Sequence, residues 1–192
     1  PGAEPAADPN LVLRVAVAAA EFGLPIAPGT LRNLKKCPIG DRNWTDESRE
    51  LFIRLLASGP ALLNVWEDID FIDVPGKLIP EWLGVRNRPS ASAAHRYTID
   101  RHMVEVVTRL GRETPSGGRY DDRHYEALLL AGILHDIGKR PGVANHAAEG
   151  ARHATVVVER MGFDRDIVRW VTLLVREHLT LSEFATGRNP ND

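Results

Sequence analysis

The apolar run from Leu128 to Ile137 is interrupted by ionisable groups at one place only, the adjacent pair His135-Asp136. A carboxylate set among aliphatic side chains costs on the order of several kcal/mol if nothing neutralises it. Three more histidines fall where helical spacing turns them inward. His102 lies three residues after Ile99 and four before Val106, and His178 lies three after Val175 and four after Leu174. At about 3.6 residues per turn, both share a face with buried aliphatic positions. His146 opens another helical stretch, delivered there by a short loop. Any one of these histidines alone is accounted for by a hydrogen bond in the core. Four on converging helices beside a buried Asp136 point instead to a divalent metal, which neutralises the carboxylate and takes imidazole nitrogens as donors. His95, His124 and His153 fall outside this pattern, with His95 two turns ahead of His102 as its nearest rival.

If the run is one helix, His135 and Asp136 diverge by about 100°. The pair then holds one ion while Asp136 reaches towards a second, for which His146 and His178 remain as ligands. Mixed nitrogen and oxygen donors suit one or two ions of Mn²⁺, Fe, Zn²⁺ or Ni²⁺ better than Mg²⁺ alone, and spacing does not choose among them. Such a centre polarises phosphorus and activates a bound water, which is the chemistry of phosphate-ester hydrolysis. Asp136 is the candidate catalytic ligand. Lys139, one turn further on, is the candidate catalytic and substrate-binding cation for the phosphate, and Arg176, beside His178, is a second. The alternative reading of each is a solvated helix-end cation, and Arg176 is the weaker candidate of the two.

The elements that must carry these residues all read as helix, and no alternating strand pattern is present. In the second half, Thr98 is placed to cap a helix bearing Ile99, Met103, Val106, Val107 and Leu110. Asp121-Asp122 opens a central one, a third runs from Ala147 to Met161, and Asp164 caps a fourth whose Ile167, Val168, Val171, Leu174 and Val175 face inward. In the first half, Asn10 is placed to cap a helix reaching Phe22, Thr30 to open one that Pro38 closes, and Thr45-Asp46 to open one that Gly59 stops. Pro60 begins the next, and Lys77 to Val85 forms another. The polar loop Arg86–Ser90 divides a helical linker subdomain (1–90) from a metal-bearing domain (91–192). Glu67, Asp68, Asp70 and Asp73 read as a solvated acidic face. Trp44, Trp66 and Trp82 read as core or interface residues.

Composition narrows the class. With 24 Lys and Arg against 26 Asp and Glu, the net charge is −2 and no basic stripe forms, which argues against a nucleic-acid binder. The single cysteine, Cys37, excludes an internal disulfide and favours a reducing, cytoplasmic home. Leu11–Ala20, the most apolar early stretch, contains Arg14, is too short to span a bilayer and lacks the flanks of a signal peptide. The termini, Pro1 and Asp192, read as those of a piece of a longer protein.

The order His102, His135-Asp136, then later ligands resembles the HD superfamily of metal-dependent phosphohydrolases, and His135-Asp136-Ile137-Gly138-Lys139 is similar to its signature. His95–His102, Leu134–Lys139, Asn145–Ala151 and Leu174–Leu179 further resemble the HD region of bifunctional PII uridylyltransferase/uridylyl-removing enzymes. Phe22–Ala27 and Leu63–Glu67 are similar to the linker that precedes it in the actinobacterial branch. The resemblance implies an all-α HD bundle that hydrolyses UMP, or AMP in actinobacteria, from a tyrosine of the PII nitrogen-signal protein. It also implies a nucleotidyltransferase domain before this segment and ACT domains after it, with no nucleic-acid or membrane partner. Two departures stand out: Asn145-His146 replaces an Asp-His pair, and Gly187-Arg188-Asn189 replaces Arg-Arg-Asp. Asn189 would then offer a carbonyl in place of a carboxylate, with Asp192 as a partial substitute. Two alternatives stay open. One is an HD enzyme acting on a free nucleotide or dinucleotide, with Tyr97 and Trp170 as base-stacking aromatics. The other is a weakened module with a regulatory role.

Overall fold

A computed structural model describes residues 4–39, 44–90, 96–111 and 122–180. The protein is all-α. Among the described residues, nine α-helices form and β-pairing is limited to an isolated bridge between Pro89 and Thr98. The helices are α1 (Leu11–Phe22), α2 (Pro28–Leu34), α3 (Asp46–Leu56), α4 (Pro60–Asp70), α5 (Val74–Leu78), α6 (Ile99–Leu110), α7 (Asp122–Leu134), α8 (His146–Arg160) and α9 (Arg165–Glu177).

Local chemistry explains most of the boundaries. Thr45 and Ser48 form a reciprocal capping box at the start of α3, and Asp164 accepts from the backbone N–H groups of Asp166 and Ile167 at the start of α9. Gly23 ends α1 in the left-handed conformation at φ 63°, where a side chain is strained. Other boundaries depart from the sequence reading. The Asn10 side chain does not cap α1; it donates to Glu47 and accepts from Ser48, tying the start of α1 to the start of α3. The α2 helix begins at Pro28, whose fixed φ suits a first turn, and not at Thr30. The expected helix over Lys77–Val85 is split by Pro80, which lacks the N–H needed to continue α5, into the end of α5 and a 3₁₀ turn at Pro80–Gly84. Thr98 occupies the cap position of α6 without a side-chain cap bond. Asp121 lies outside the described residues.

The helices enclose one contiguous apolar core. In the first half α1 packs on α3 and α4; in the second α7 packs on α6 and α9, and α8 on α9; α4 meets α6 and α3 meets α7. Trp66 and Trp82 meet in the core at 5.4 Å between ring centroids, Trp44 sits edge-on to Phe52, and Cys37 is a buried packing residue. The acidic face expected over Glu67–Asp73 is not simply solvated. Asp68 accepts the Ile26 N–H, Asp70 and Asp73 clamp Arg86, and Glu67 pairs with Arg101. The two halves are further stitched by Arg160, bidentate on Glu81 at 2.8 and 2.7 Å, and by Arg140, which donates to the Glu81 carbonyl at 2.9 Å.

Close backbone approaches fix the joints. A Cβ on Gly111 would lie 2.7 Å from the Gly59 nitrogen and 2.9 Å from its Cα, so the end of α6 meets the α3–α4 turn backbone to backbone. Gly111→Ala is therefore expected to destabilise the chain by about 1–3 kcal/mol, as overpacking does. Gly23→Ala, whose Cβ would meet open space, carries only the left-handed strain of about 1 kcal/mol. Urea unfolding midpoints at unchanged slope measure both.

Candidate metal centre

The α7 helix stops at Leu134, so His135 and Asp136 stand on the turn after it and not on the helix as the periodicity suggested. That ending matters chemically. The last carbonyls of a helix have no intrahelical donor, and here the Gly132 carbonyl accepts from His135 Nδ1 at 2.8 Å. The α9 helix ends in the same way: the Val175 carbonyl accepts from His178 Nδ1 at 2.7 Å. Each bond keeps the proton on Nδ1 and leaves Nε2 with its lone pair directed into the site, the arrangement that orients histidine ligands.

The third element with a candidate ligand arrives through a close approach of backbones. A Cβ on Gly138 would fall 2.3 Å from the Gly150 nitrogen and 2.5 Å from the His146 carbonyl oxygen, so only glycine lets this turn lie against the first turn of α8. Asn145 caps that helix by accepting the Ala148 N–H at 2.9 Å, a role open equally to Asp, and His146 follows as its first residue. His102 comes from α6, inside the bundle.

These elements converge on Asp136, which is 3% exposed. Its Oδ1 lies 3.6 Å from both His146 Nε2 and His178 Nε2. Its Oδ2 lies 3.7 Å from His135 Nε2 and 3.4 Å from Lys139 Nζ. Potential ligand atoms of His102, His135 and Asp136 lie within 4.8 Å of one another, and so do those of Asp136, His146 and His178. The rings form a continuous row, with centroids 5.1 Å apart for His102–His135, 5.3 Å for His135–His178 and 5.6 Å for His178–His146. All five sequence candidates are thus gathered into two triads that share one carboxylate.

The electrostatics match a cation site. Burial pushes the His135 imidazole down to about 4, outweighing the pull of Asp136, so the ring is neutral at neutral pH. Burial would raise the Asp136 carboxyl, but His178, His135 and Lys139 together hold it well below the usual carboxylate range. His178 is lowered by burial, yet Asp136 and the Val175 carbonyl more than offset this and raise it overall. A neutral His178 would aim a lone pair at a carboxylate oxygen, two acceptors face to face. Either a proton or a metal ion between them relieves that arrangement, and the donor set fits a divalent ion.

Lys139 leans on Asp136, while the Arg176 side chain is exposed and pairs with Glu177 at 3.0 Å. Arg176 also shares a surface pocket of ≈ 480 Å³ with Asn145, His146 and Thr180. A second pocket, of ≈ 420 Å³, opens on His102, His135 and His178 and is otherwise aliphatic, with Val106, Leu110 and Leu174 on its walls. Leu174, expected to face inward, is 40% exposed at this mouth. His124 stacks on Trp170 and His153 pairs with Glu149, so neither joins the centre. His95, Gly187, Arg188, Asn189 and Asp192 lie outside the described residues. Sequence reasoning missed the backbone acceptors Gly132 and Val175 and the Gly138–Gly150 contact. The last left a trace in the glycine following the His-Asp pair.

No family model matches the chain. Curated relatives do. A bifunctional uridylyltransferase/uridylyl-removing enzyme from Streptomyces coelicolor is 39% identical over 193 residues, covering 99% of this chain. The enzymes of that name from Mycobacterium tuberculosis and Corynebacterium glutamicum are 38% and 32% identical over 99% and 96% of it. This chain is homologous to one segment of those enzymes. It spans only 22%, 23% and 26% of those three relatives, about a quarter of their length or less. The uridylyltransferase/uridylyl-removing name joins two opposed activities, and a segment of this size need carry no more than part of either.

Asp136→Ala is expected to lower divalent-metal affinity by more than the roughly 10–100-fold typical of losing a supporting partner, because both triads lose their shared ligand. Titration calorimetry with Mn²⁺ and Zn²⁺ measures this. In the native chain, protons compete for His178, whose affinity for them is raised, so metal affinity should fall as pH drops through the histidine range.

Proposed function

We propose that this chain is the HD phosphohydrolase segment of a bifunctional PII uridylyltransferase/uridylyl-removing enzyme, and that it removes UMP or AMP from a nucleotidylated tyrosine of the PII protein. The observation that carries this reading is the sharing of buried Asp136 between the His102–His135 pair and the His146–His178 pair. The names of the relatives, which include a removing activity, support it.

In this reading, His102, His135, Asp136, His146 and His178 hold one or two divalent ions. Bound there, such an ion polarises a phosphoryl oxygen and lowers the pKa of a coordinated water. The chain's own residues do the rest. Asp136 supplies the negative charge, and the Gly132 and Val175 carbonyls keep the His135 and His178 lone pairs pointed at the site. Lys139, with its ammonium beside Asp136 Oδ2, neutralises the bound phosphate. Arg176, in the pocket it shares with His146, holds the departing nucleotide's phosphate. The aliphatic mouth formed by Val106, Leu110 and Leu174 excludes water and accepts an apolar or aromatic group. A tyrosyl oxygen leaves as a phenolate, a modest base, and so demands little from a proton donor. Residues 1–90 form a linker subdomain that braces this unit between nucleotidyltransferase and ACT modules. No described helix is long and apolar enough to cross a membrane.

The test is the metal content of the purified chain together with release of UMP or AMP from nucleotidylated PII in the presence of Mn²⁺. Metal with release is expected. A metal-loaded chain that hydrolyses free nucleotides and leaves nucleotidylated PII untouched would overturn the substrate assignment. Lys139→Met should retain metal yet lower kcat, by an amount approaching the roughly 100-fold typical of losing one charge-stabilising donor.

A further inference from the structure

The row of four imidazoles has a different pocket at each end. His102, His135 and His178 border the aliphatic mouth of ≈ 420 Å³, whereas His146 borders the polar pocket of ≈ 480 Å³. The larger aliphatic walls of the mouth are Val106, Leu110, Leu128 and Leu174. None of these four is fully buried, and Leu174 is 40% exposed, so their methyl groups are within reach of a ligand. A Cβ on Gly132 would lie 2.8 Å from Leu110 Cδ1, so Leu110 is seated against the glycine and keeps its place on the wall.

The two linings suit different chemical groups. Apart from the three imidazoles, the described lining of the mouth carries no polar side chain. The Nδ1 atoms of His135 and His178 are already engaged by the Gly132 and Val175 carbonyls. A nucleobase has donors and acceptors around its edge, and it would exchange water there for methyl groups, which is unfavourable. A phenyl ring has no such edge and gains from the same burial. The pocket beside His146 has the opposite character, with Asn145, Arg176, Glu177 and Thr180 supplying amide, guanidinium, carboxylate and hydroxyl groups. Those are partners for a ribose and a base.

We propose that the site sorts the two ends of an aryl nucleotidyl diester: the aryl ring lies in the mouth against Leu110, Leu128 and Leu174, and the nucleoside lies in the polar pocket beside His146. This assignment rests on the removing activity proposed above and gives the substrate a direction across the histidine row. Leu174 is then a specificity-determining residue for the tyrosyl side of the ester, and a diester with a small alkyl group in place of the ring loses its hold on the mouth.

The experiment follows the leucine and alanine methyl resonances of the ¹³C-labelled chain with Zn²⁺ during titration with phenylphosphonate, methylphosphonate and UMP, none of which needs to be turned over. Phenylphosphonate is expected to shift the methyls of Leu110, Leu128 and Leu174 saturably and to bind about 10-fold more tightly than methylphosphonate. UMP is expected to shift the Ala147 and Ala148 methyls, which border the polar pocket, and to leave the mouth leucines in place. Leu174→Ser should remove most of the preference for phenyl over methyl with UMP affinity unchanged, and unmoved core methyls of Leu55 and Leu129 would show that the fold is kept. Mouth leucines that ignore phenylphosphonate, or equal affinity for the two phosphonates, would overturn the proposal. So would mouth leucines that move with UMP, because the base would then occupy the mouth. A chain that sorts the ligands as expected yet leaves nucleotidylated PII intact keeps the aryl subsite and loses only the PII assignment.

Discussion

Burying the Asp136 carboxylate is the constraint on which the rest of the site depends. At 3% exposure it cannot be solvated, and the protein surrounds it with three imidazoles and one ammonium instead. Those groups come from separate places in the chain: the turn after α7, the start of α8 and the end of α9. The packing of α7 against α9, and of α8 against α9, therefore fixes the chemistry as well as the core. A shift of one helix by a single turn, about 5 Å, would leave the carboxylate stranded.

The first half acts on this arrangement through a few specific joints. Glu81 receives both Arg160 of α8 and Arg140, which follows the His-Asp turn by four residues. Glu67 holds Arg101, the neighbour of His102. Each joint touches an element that carries a candidate ligand, so the helices of the first half bear on the position of the site.

Much of this was legible in the sequence. Helical periodicity identified every described helix of the second half, because α6, α8 and α9 are amphipathic and α7 ends in an almost unbroken apolar run. The inward histidines were legible for the same reason, since a polar residue on an apolar face is visible from spacing alone. What stayed hidden involved tertiary geometry. The end of α7 one residue before His135 follows from a turn that must pass Gly150 at backbone contact, and nothing local announces it. Asp68 and Asp70 looked like surface charges because their partners, the Ile26 N–H and Arg86, are remote in sequence. Pro80 was a legible break that the apolar pattern around it obscured.

The two bonds that orient His135 and His178 end on carbonyls of the main chain. A side-chain acceptor can be exchanged by one codon change, and families of metal sites drift by such exchanges. A main-chain carbonyl has no codon of its own. Its position is altered only by proline, by an insertion or deletion, or by a helix that runs longer before it ends. Drift in this lineage can therefore replace the rings themselves or the cap at residue 145 one residue at a time, while the tautomers are inherited with the helix lengths.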